Sequence, residues 1–283
     1  RSTLTPTSAS VTGDGSTQVL TVTAQLADAN GNAVSTAGEV VTWTKSDSNG
    51  GFASANSTTD SSGVATVTLT THTVAGTATT VTATDSSNRT GTSSTITTTA
   101  SGTPSQLLVS TIGNQTAGTG FNVTVTLADS NGNAVNNAGA NGTVTLSVKT
   151  GSGTLGGTVS GTIPVGQSSV TLSGVTYTRA ESGVVLTATG SGSNSSVTGK
   201  SRDSNGFTVG AGAASQLAVV TQPVGGASGA LLTTQPEVAV HDQYGNVVMT
   251  DGTTVVSVSI LSGTGGLLGG TQVATVEGGV ATF

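Results

Sequence analysis

Three short segments bring carboxylate and amide side chains together at spacings that suit either a cation or a tight turn. They are Asp28-Ala-Asn-Gly-Asn32, Asp129-Ser-Asn-Gly-Asn133 and Asp242-Gln-Tyr-Gly-Asn246. Calcium prefers hard oxygen ligands in closely spaced loop positions. The candidate calcium ligands are therefore the alternate residues of the first two segments: Asp28, Asn30, Asn32, Asp129, Asn131 and Asn133.

A structural turn is the interpretation that these segments favour. In an EF-hand loop a Gly follows the third ligand position, whereas Gly31 comes before Asn32, and Tyr244 replaces the central Asn of the third segment. Asp can cap the backbone, while Gly and Asn tolerate left-handed backbone angles. The predicted turn residues are those that all three segments share: Asp28, Gly31, Asn32, Asp129, Gly132, Asn133, Asp242, Gly245 and Asn246. We expect no cofactor, with calcium as the alternative.

Residues that could catalyse a reaction are few and scattered. The two histidines, His72 and His241, lie far apart in the sequence, and no Ser follows a nucleophile-elbow pattern. A catalytic triad needs three converging groups, and a glycosidase needs a matched pair of carboxyl groups. Without cysteine, a thiol nucleophile, a disulfide and a thiolate metal site are excluded. The sequence predicts no catalytic residues and no enzyme.

The composition limits the partners of the chain. Ser and Thr make up 94 of the 283 residues, and the net charge is −6 with only three Lys and four Arg. Binding a phosphate backbone requires clustered cations, so we expect no nucleic-acid partner. The chain has no apolar run of 18 residues, so this segment is not expected to span a membrane.

Apolar residues alternate with polar ones immediately before each Asp turn. Leu20, Val22, Ala24 and Leu26 alternate with Thr and Gln, and the run that starts at Phe121 repeats this pattern. A period of two places one face of a strand on a core and the other in water. The sequence therefore predicts half-buried strands of an antiparallel sandwich.

A second set of aligned segments supplies the predicted core. Val41-Thr-Trp43 matches Val144-Thr-Leu146 and Val256-Ser-Val258, and a Gly-flanked apolar residue follows nine positions after each. A buried Trp is typical of the corresponding strand in an immunoglobulin-like (Ig-like) sandwich. The predicted core positions are Trp43, Phe52, Leu146, Leu155, Val258 and Leu267.

The repeats divide the chain into three modules. We expect domains at 1–102, 103–211 and 212–283, each an Ig-like Greek-key β-sandwich in an all-β chain shaped as an elongated rod. Gly63-Val-Ala-Thr-Val67 continues for about thirty residues, but its third copy ends at Phe283, so the last module is predicted to lack two strands. Val280 and Phe283 are the candidate assembly edge, because an unfinished sandwich exposes an unpaired strand.

The Asp-x-Asn-Gly-Asn-x-Val turn, the Gly-rich hairpin and the later Gly-Val-Ala-Thr-Val resemble bacterial Ig-like domains of the invasin and intimin kind, and are similar to filamin-type repeats. This resemblance implies an extracellular, cell-surface setting and a structural role in a surface layer, fibre or adhesin stalk. The partners would be other copies of the chain or the continuation of a longer polypeptide, with strand donation to the third module as the means of assembly. The alternative is an adhesin segment that recognises a host, a carbohydrate or another polymer.

Overall fold

The structure is a computed structural model that describes residues 2–5, 11–12, 19–48, 50–100, 102–263 and 266–283. All its regular elements are β-strands, which confirms the predicted all-β class. The described residues contain no helix of the length and apolar character needed to cross a bilayer. The sheets fall into three successive groups along the chain, and we use "module" for each group of sheets that shares a core.

The first module comprises the strands up to residue 99. They are β1 (Ser2–Thr5), β2 (Val11–Thr12), β3 (Val19–Leu26), β4 (Val40–Lys45), β5 (Gly51–Phe52), β6 (Asn56–Thr58), β7 (Val64–Thr70), β8 (Ala78–Thr79), β9 (Val81–Asp85), β10 (Thr90–Thr92) and β11 (Ile96–Thr99). The described strands of this module form three sheets, in the orders β1-β3-β7-β5, β10-β9-β4-β6 and β2-β11-β8. Thr and Val dominate these strands, as their stiff branched side chains favour an extended backbone.

The second module has longer strands and two sheets. The strands are β12 (Gln106–Val109), β13 (Gln115–Thr116), β14 (Phe121–Ala128), β15 (Gly142–Thr150), β16 (Leu155–Gly156), β17 (Ser160–Ile163), β18 (Ser169–Tyr177), β19 (Glu181–Ser191), β20 (Ser201–Asp203) and β21 (Phe207–Gly210). One sheet has the order β12-β14-β18-β16. The other has the order β13-β21-β19-β15-β17, with β20 also paired to β19.

This strand order is that of an Ig-like sandwich. One sheet contains β12, β14, β16 and β18. The other contains β13, β15, β17, β19, β20 and β21, so the chain crosses repeatedly between the two sheets, as in a Greek key. Every pairing in the module is antiparallel except that of β13 with β21, which joins the start of the module to its end. The first module repeats this feature, because β2 pairs in parallel with β11. The predicted Ig-like sandwich is confirmed.

The third module contains fewer strands within the described residues. They are β22 (Gln216–Thr221), β23 (Glu237–His241), β24 (Val255–Ser257), β25 (Val273–Thr275) and β26 (Val280–Thr282). The sheets are β22-β23-β26 and β24-β25. By position, β24 matches β15 of the second module, but β15 pairs with both β17 and β19, whereas β24 pairs with β25 alone among the described strands.

The cores follow the period-two pattern. In β3, Leu20, Val22, Ala24 and Leu26 are buried and the residues between them are more exposed. The core of the second module joins 19 buried apolar residues from both of its sheets. The described residues give 11 such residues in the first module and 6 in the third. Among the described residues, the core of the third module is therefore the smallest of the three.

The core positions predicted from the sequence do not all lie in the core. Trp43 and Leu146 are buried, and Phe52 and Leu155 are half-buried and pack against their cores. Val258 is half-buried, but the prediction is wrong for Leu267, which is 97% exposed. The physical reason is that Leu267 has no strand partner among the described residues. Phe52 and Leu155 pair with Leu69 of β7 and Tyr177 of β18, and the position that matches Leu69 falls after Phe283.

Candidate functional site

The three Asp turns have one hydrogen-bond pattern. In the first, Oδ1 of Asp28 accepts the backbone N–H groups of Asn30 and Asn32 at 2.9 Å each, and Oδ2 accepts the Nδ2–H of Asn32 at 2.9 Å. Gly31 has a φ of 87° and donates its N–H to the carbonyl oxygen of Asp28 at 3.1 Å. Asp at the first position and Gly at the fourth are the usual choices for such a turn.

The hydrogen bonds from backbone N–H groups to the Asp carboxylate also occur at two Asp residues outside the repeated sequence motif. Asp60 and Asp85 accept backbone N–H groups two and four residues further on in the same way. The residue four positions after these Asp is Val64 or Arg89, neither of which carries an amide side chain. The carboxylate is thus a general turn former in this chain, and the Asn at the fifth position is what distinguishes the three repeated turns.

The hydrogen-bond donors of the turns stabilise the ionised form of the turn carboxylates. The hydrogen bonds from the side chain and backbone of Asn32 lower the pKa of Asp28 below its ordinary value. Burial raises the pKa of Asp242, but the hydrogen bonds from Asn246 and Gly212 outweigh burial, and the net pKa is lowered. Because N–H donors already face both oxygens of these carboxylates, a bound calcium ion would have to displace them. The described residues hold no group of three or more His, Cys, Asp or Glu arranged for a metal.

The Asn of the second turn binds the first module. The Nδ2–H of Asn133 donates to the carbonyl oxygen of Thr73 at 2.9 Å, while its Oδ1 accepts the backbone N–H of Ala75 at 2.8 Å. A second Nδ2 hydrogen bond, to Oδ2 of Asp129 at 3.0 Å, fixes the amide plane. One side chain therefore holds the loop after β7 by two backbone groups. We name this arrangement the clasp.

The third turn repeats the clasp on the second module. The Nδ2–H of Asn246 donates to the carbonyl oxygen of Thr178 at 2.8 Å, and its Oδ1 accepts the N–H of Ala180 at 2.9 Å. The connecting segment is also held, because the N–H of Gly212 donates to Oδ2 of Asp242 at 2.8 Å. Asp129 and Asp242, beneath their clasps, are both 0% exposed.

Tyr244 adds a contact that sequence reasoning missed. Its ring lies against the backbone of Gly118 in the second module, where a Cβ would meet the ring at 2.3 Å, and Gly118 has a φ of 76°. The matching turn positions hold Asn30 and Asn131. The change from Asn to an aromatic residue in one copy was the available signal, but the sequence did not show what the ring would touch.

A polar cleft of about 470 Å³ lies where the second and third modules meet, which we call the second junction. Its lining includes Ser152, Arg179, Tyr244, Asn246 and Met249. The lining residue Ser152 donates to both oxygens of the Glu181 carboxylate, and the Tyr177 O–H donates to Oε1 of the same carboxylate at 2.5 Å. Burial raises the pKa of Glu181, but these hydrogen bonds outweigh it and lower the pKa to about 2.

The remaining sequence candidates are the two histidines, each of which is next to a clasp residue in the sequence, and the candidate assembly edge. The Nδ1 of His72 accepts the N–H of Val74 in the loop after β7. His241 ends β23, and its Nε2 is buried and has no hydrogen-bond partner among the described residues. At the candidate assembly edge, Val280 pairs with Ala239 of β23, and Phe283 packs against the small core of the third module.

No family model matches the chain, and no curated protein matches it. Similar solved structures include the D0–D1 domain of intimin, with 18% identity over 74% of this chain and 97% of that chain and a TM-score of 0.28. Invasin, a bacterial integrin-binding protein, has 20% identity over 93% of this chain and 52% of its own, with a TM-score of 0.33. FdeC, an Escherichia coli adhesin, has 20% identity over 91% and 78%, with a TM-score of 0.35.

These structures are of the invasin and intimin kind that the sequence motifs resemble. With identities of 20% or less and TM-scores below 0.5, they carry no argument about activity or partners. The strand order of the chain itself is that of an Ig-like sandwich.

Proposed function

We propose that this chain is a structural array of Ig-like modules, with domains at 1–102, 103–211 and 212–283, in an extracellular protein of the bacterial cell surface. Its task is mechanical: the modules hold a distance and an orientation, as in a surface layer, fibre or adhesin stalk. The observation that carries this proposal is the clasp, because both junctions use one Asn in the same way. A linker without such contacts would leave neighbouring modules free to reorient.

The clasp suits a rod because it binds backbone. Asn133 and Asn246 each contact a carbonyl oxygen and an N–H group that a change of side chain in the loop would not remove. Each amide is also held in place by its own Asp, so little side-chain entropy is lost on docking. The resemblance of the sequence motifs to bacterial Ig-like domains of the invasin and intimin kind supports the cell-surface setting.

Solution X-ray scattering tests this role. We expect an extended particle for the natural chain and a broader distance distribution for the double variant Asn133→Ala, Asn246→Ala. The matched control is Asn131→Ala with Gln243→Ala, which changes exposed residues of the same two turns. A compact envelope for the natural chain, or identical curves for the clasp and control variants, would contradict the proposal.

We further propose that the third module is completed by two strands equivalent to β19 and β21. Leu217 and Val219 of β22 are 55% and 50% exposed, whereas Leu107, which matches Leu217, is 0% exposed beneath the second sheet of its module. Among the described strands, β24 is unpaired along the edge that corresponds to the β19-paired edge of β15 in the second module. An uncovered apolar face beside an unpaired edge is the usual receptor for an added strand.

The strands would come from other copies of the chain or from a continuation of the polypeptide, and two measurements separate these sources. Sedimentation of the natural chain over a range of concentrations detects donation between copies as self-association. A chain extended after Phe283 by residues 173–210 supplies the strands in cis, and we expect it to gain thermal stability and lose any self-association. An extension of the same composition in scrambled order is the control. Failure of both arms would exclude strand donation.

A second candidate function is recognition of a carbohydrate or another polymer at the junction cleft. Tyr244 is 42% exposed there, beside the largely exposed Arg179 side chain, so the cleft offers one aromatic face and one cation. Aromatic faces and cations are common anchors in binding sites. Binding on a glycan array that is lost in Arg179→Ala would favour this function, and an array without signal would oppose it.

A further inference from the structure

Among the described residues, one of the three Asp turns holds no loop of a neighbouring module. Asn32 occupies the position of Asn133 and Asn246 in the repeat. Its Nδ2–H donates to Oδ2 of Asp28 at 2.9 Å, and the matching hydrogen bonds measure 3.0 Å for Asn133 and 2.8 Å for Asn246. Its amide is therefore held in the orientation that the other two use. Within the described part of the chain, however, the second Nδ2 hydrogen and the Oδ1 of Asn32 have no partner.

Solvent exposure also distinguishes the turn of the first module from the other two turns. Asn32 is exposed whereas Asn133 and Asn246 are half-buried, and Asp28 is half-buried whereas its two counterparts are fully buried. Val34 is 36% exposed, but Val135 and Val248, which match it, are 4% and 7% exposed. The turn of the first module thus has the internal bonds of a clasp and lacks the cover that the other two turns have.

The loops that occupy the other two clasps define what the free one would accept. Thr73-Val-Ala75 follows β7, and Thr178-Arg-Ala180 follows β18, so both come from the same place in an Ig-like module. Each offers a Thr carbonyl oxygen and, two residues later, an Ala N–H. The central residue changes from Val to Arg, and the clasp hydrogen bonds go to backbone atoms, so the clasp does not depend on the central side chain of the loop.

We propose that Asn32 and the 28–32 turn form a docking site for the corresponding loop of a further Ig-like module placed before the first. The loop's carbonyl oxygen would accept the free Nδ2 hydrogen, and its N–H would donate to Oδ1. The inference rests on the proposed role of the chain as an array of docked modules. It assigns the first module an interaction surface, the 28–32 turn, that neither of the other two modules occupies among the described residues.

The test adds a module in front of the intact chain. Ser2 pairs with Leu26 as Leu217 pairs with Val240, so residues 102–216 joined directly to Ser2 reproduce the second junction. The added copy carries Arg179→Lys, which separates its peptides by mass from the native copy. Hydrogen exchange at the added Ala180 amide is then measured with Asn32 intact, with Asn32→Ala and with Asn30→Ala as the matched control.

We expect the added Ala180 amide to exchange about tenfold faster after Asn32→Ala, in keeping with the loss of the clasp hydrogen bonds, and to be unchanged after Asn30→Ala. Asn133→Ala in the same molecule reports separately on the proposed array, because it should release the Ala75 amide. Release of Ala75 without any effect of Asn32→Ala on Ala180 would overturn the docking site and leave the array standing. If neither amide responds, both proposals fail.

Discussion

Glu181 shows how much one partly buried carboxylate depends on its donors. Its pKa is 4.5 in an unstructured chain and about 2 in the fold, because the hydrogen bonds from Tyr177 and Ser152 outweigh burial. Since the folded pKa is the lower one, the ionised carboxylate stabilises the fold above pH 4.5, and this contribution is lost as the pH falls towards 2. The pH dependence of stability should therefore contain a component from this side chain.

The variant Glu181→Gln isolates that component. We expect the natural chain to be more stable than the variant above pH 4.5 and the difference to shrink as the pH falls from 4.5 to about 2. Thermal melting at a series of pH values measures it. Glu277→Gln, at an exposed carboxylate of the third module, is the control. A difference that stays constant with pH would show that the ionised form of Glu181 has no special stability.

At the scale of an element, the 242–246 turn of the third module is held against the second module by its clasp and by the ring of Tyr244. Replacing Tyr244 with Asn restores the residue found at positions 30 and 131 and retains the N–H bond to Asp242. The variant should lose the ring contact with Gly118, whose N–H donates to the carbonyl oxygen of Tyr177. We expect faster hydrogen exchange at Gly118 by several-fold, because its cover is removed.

A reciprocal change checks the same contact from the other side. Gly118→Ala would place a methyl group 2.3 Å from the Tyr244 ring and strain a backbone with a φ of 76°. In the Tyr244→Asn background the clash is relieved and only the backbone strain remains. Equal destabilisation in both backgrounds would mean that Tyr244 does not rest on Gly118.

Strands were predictable from the sequence because their cause is local. The alternation from Leu20 to Leu26 reports which face of β3 is buried, whatever the strand pairs with. The Asp turns were predictable for the same reason, since each carboxylate bonds to N–H groups only two and four residues away. Short-range hydrogen bonds and side-chain periodicity leave their trace in consecutive residues.

Burial and docking were not predictable because their causes lie elsewhere in the chain. Leu267 has the spacing of Phe52 and Leu155, but a residue in that position is covered only when a distant strand pairs with it. Asn133 and Asn32 occupy the same place in the repeat, and nothing in the turn itself shows that one binds a neighbouring module. These properties depend on contacts between segments far apart in sequence.

At the scale of the whole molecule, the same substitution at one aligned position of two modules should show how completely each core is covered. Leu107 and Leu217 pair with Leu127 and Val240 at the same place in their modules, yet they are 0% and 55% exposed. Leu107→Ala should cost about 2–5 kcal/mol of unfolding free energy, the usual range for a buried Leu. Leu217→Ala should cost no more than about 0.5 kcal/mol, as expected for a residue outside a packed core.

Denaturant unfolding of the two variants, followed by circular dichroism, gives these costs for the monomeric chain. The same pair then tests completion of the third module: in the chain extended by residues 173–210, the cost of Leu217→Ala should rise towards that of Leu107→Ala, because the added strands would cover this side chain. Equal costs in the unextended monomer would show that the third core is already closed. The strand-completion proposal would then lose its structural basis, whereas the clasps at the two junctions would be unaffected.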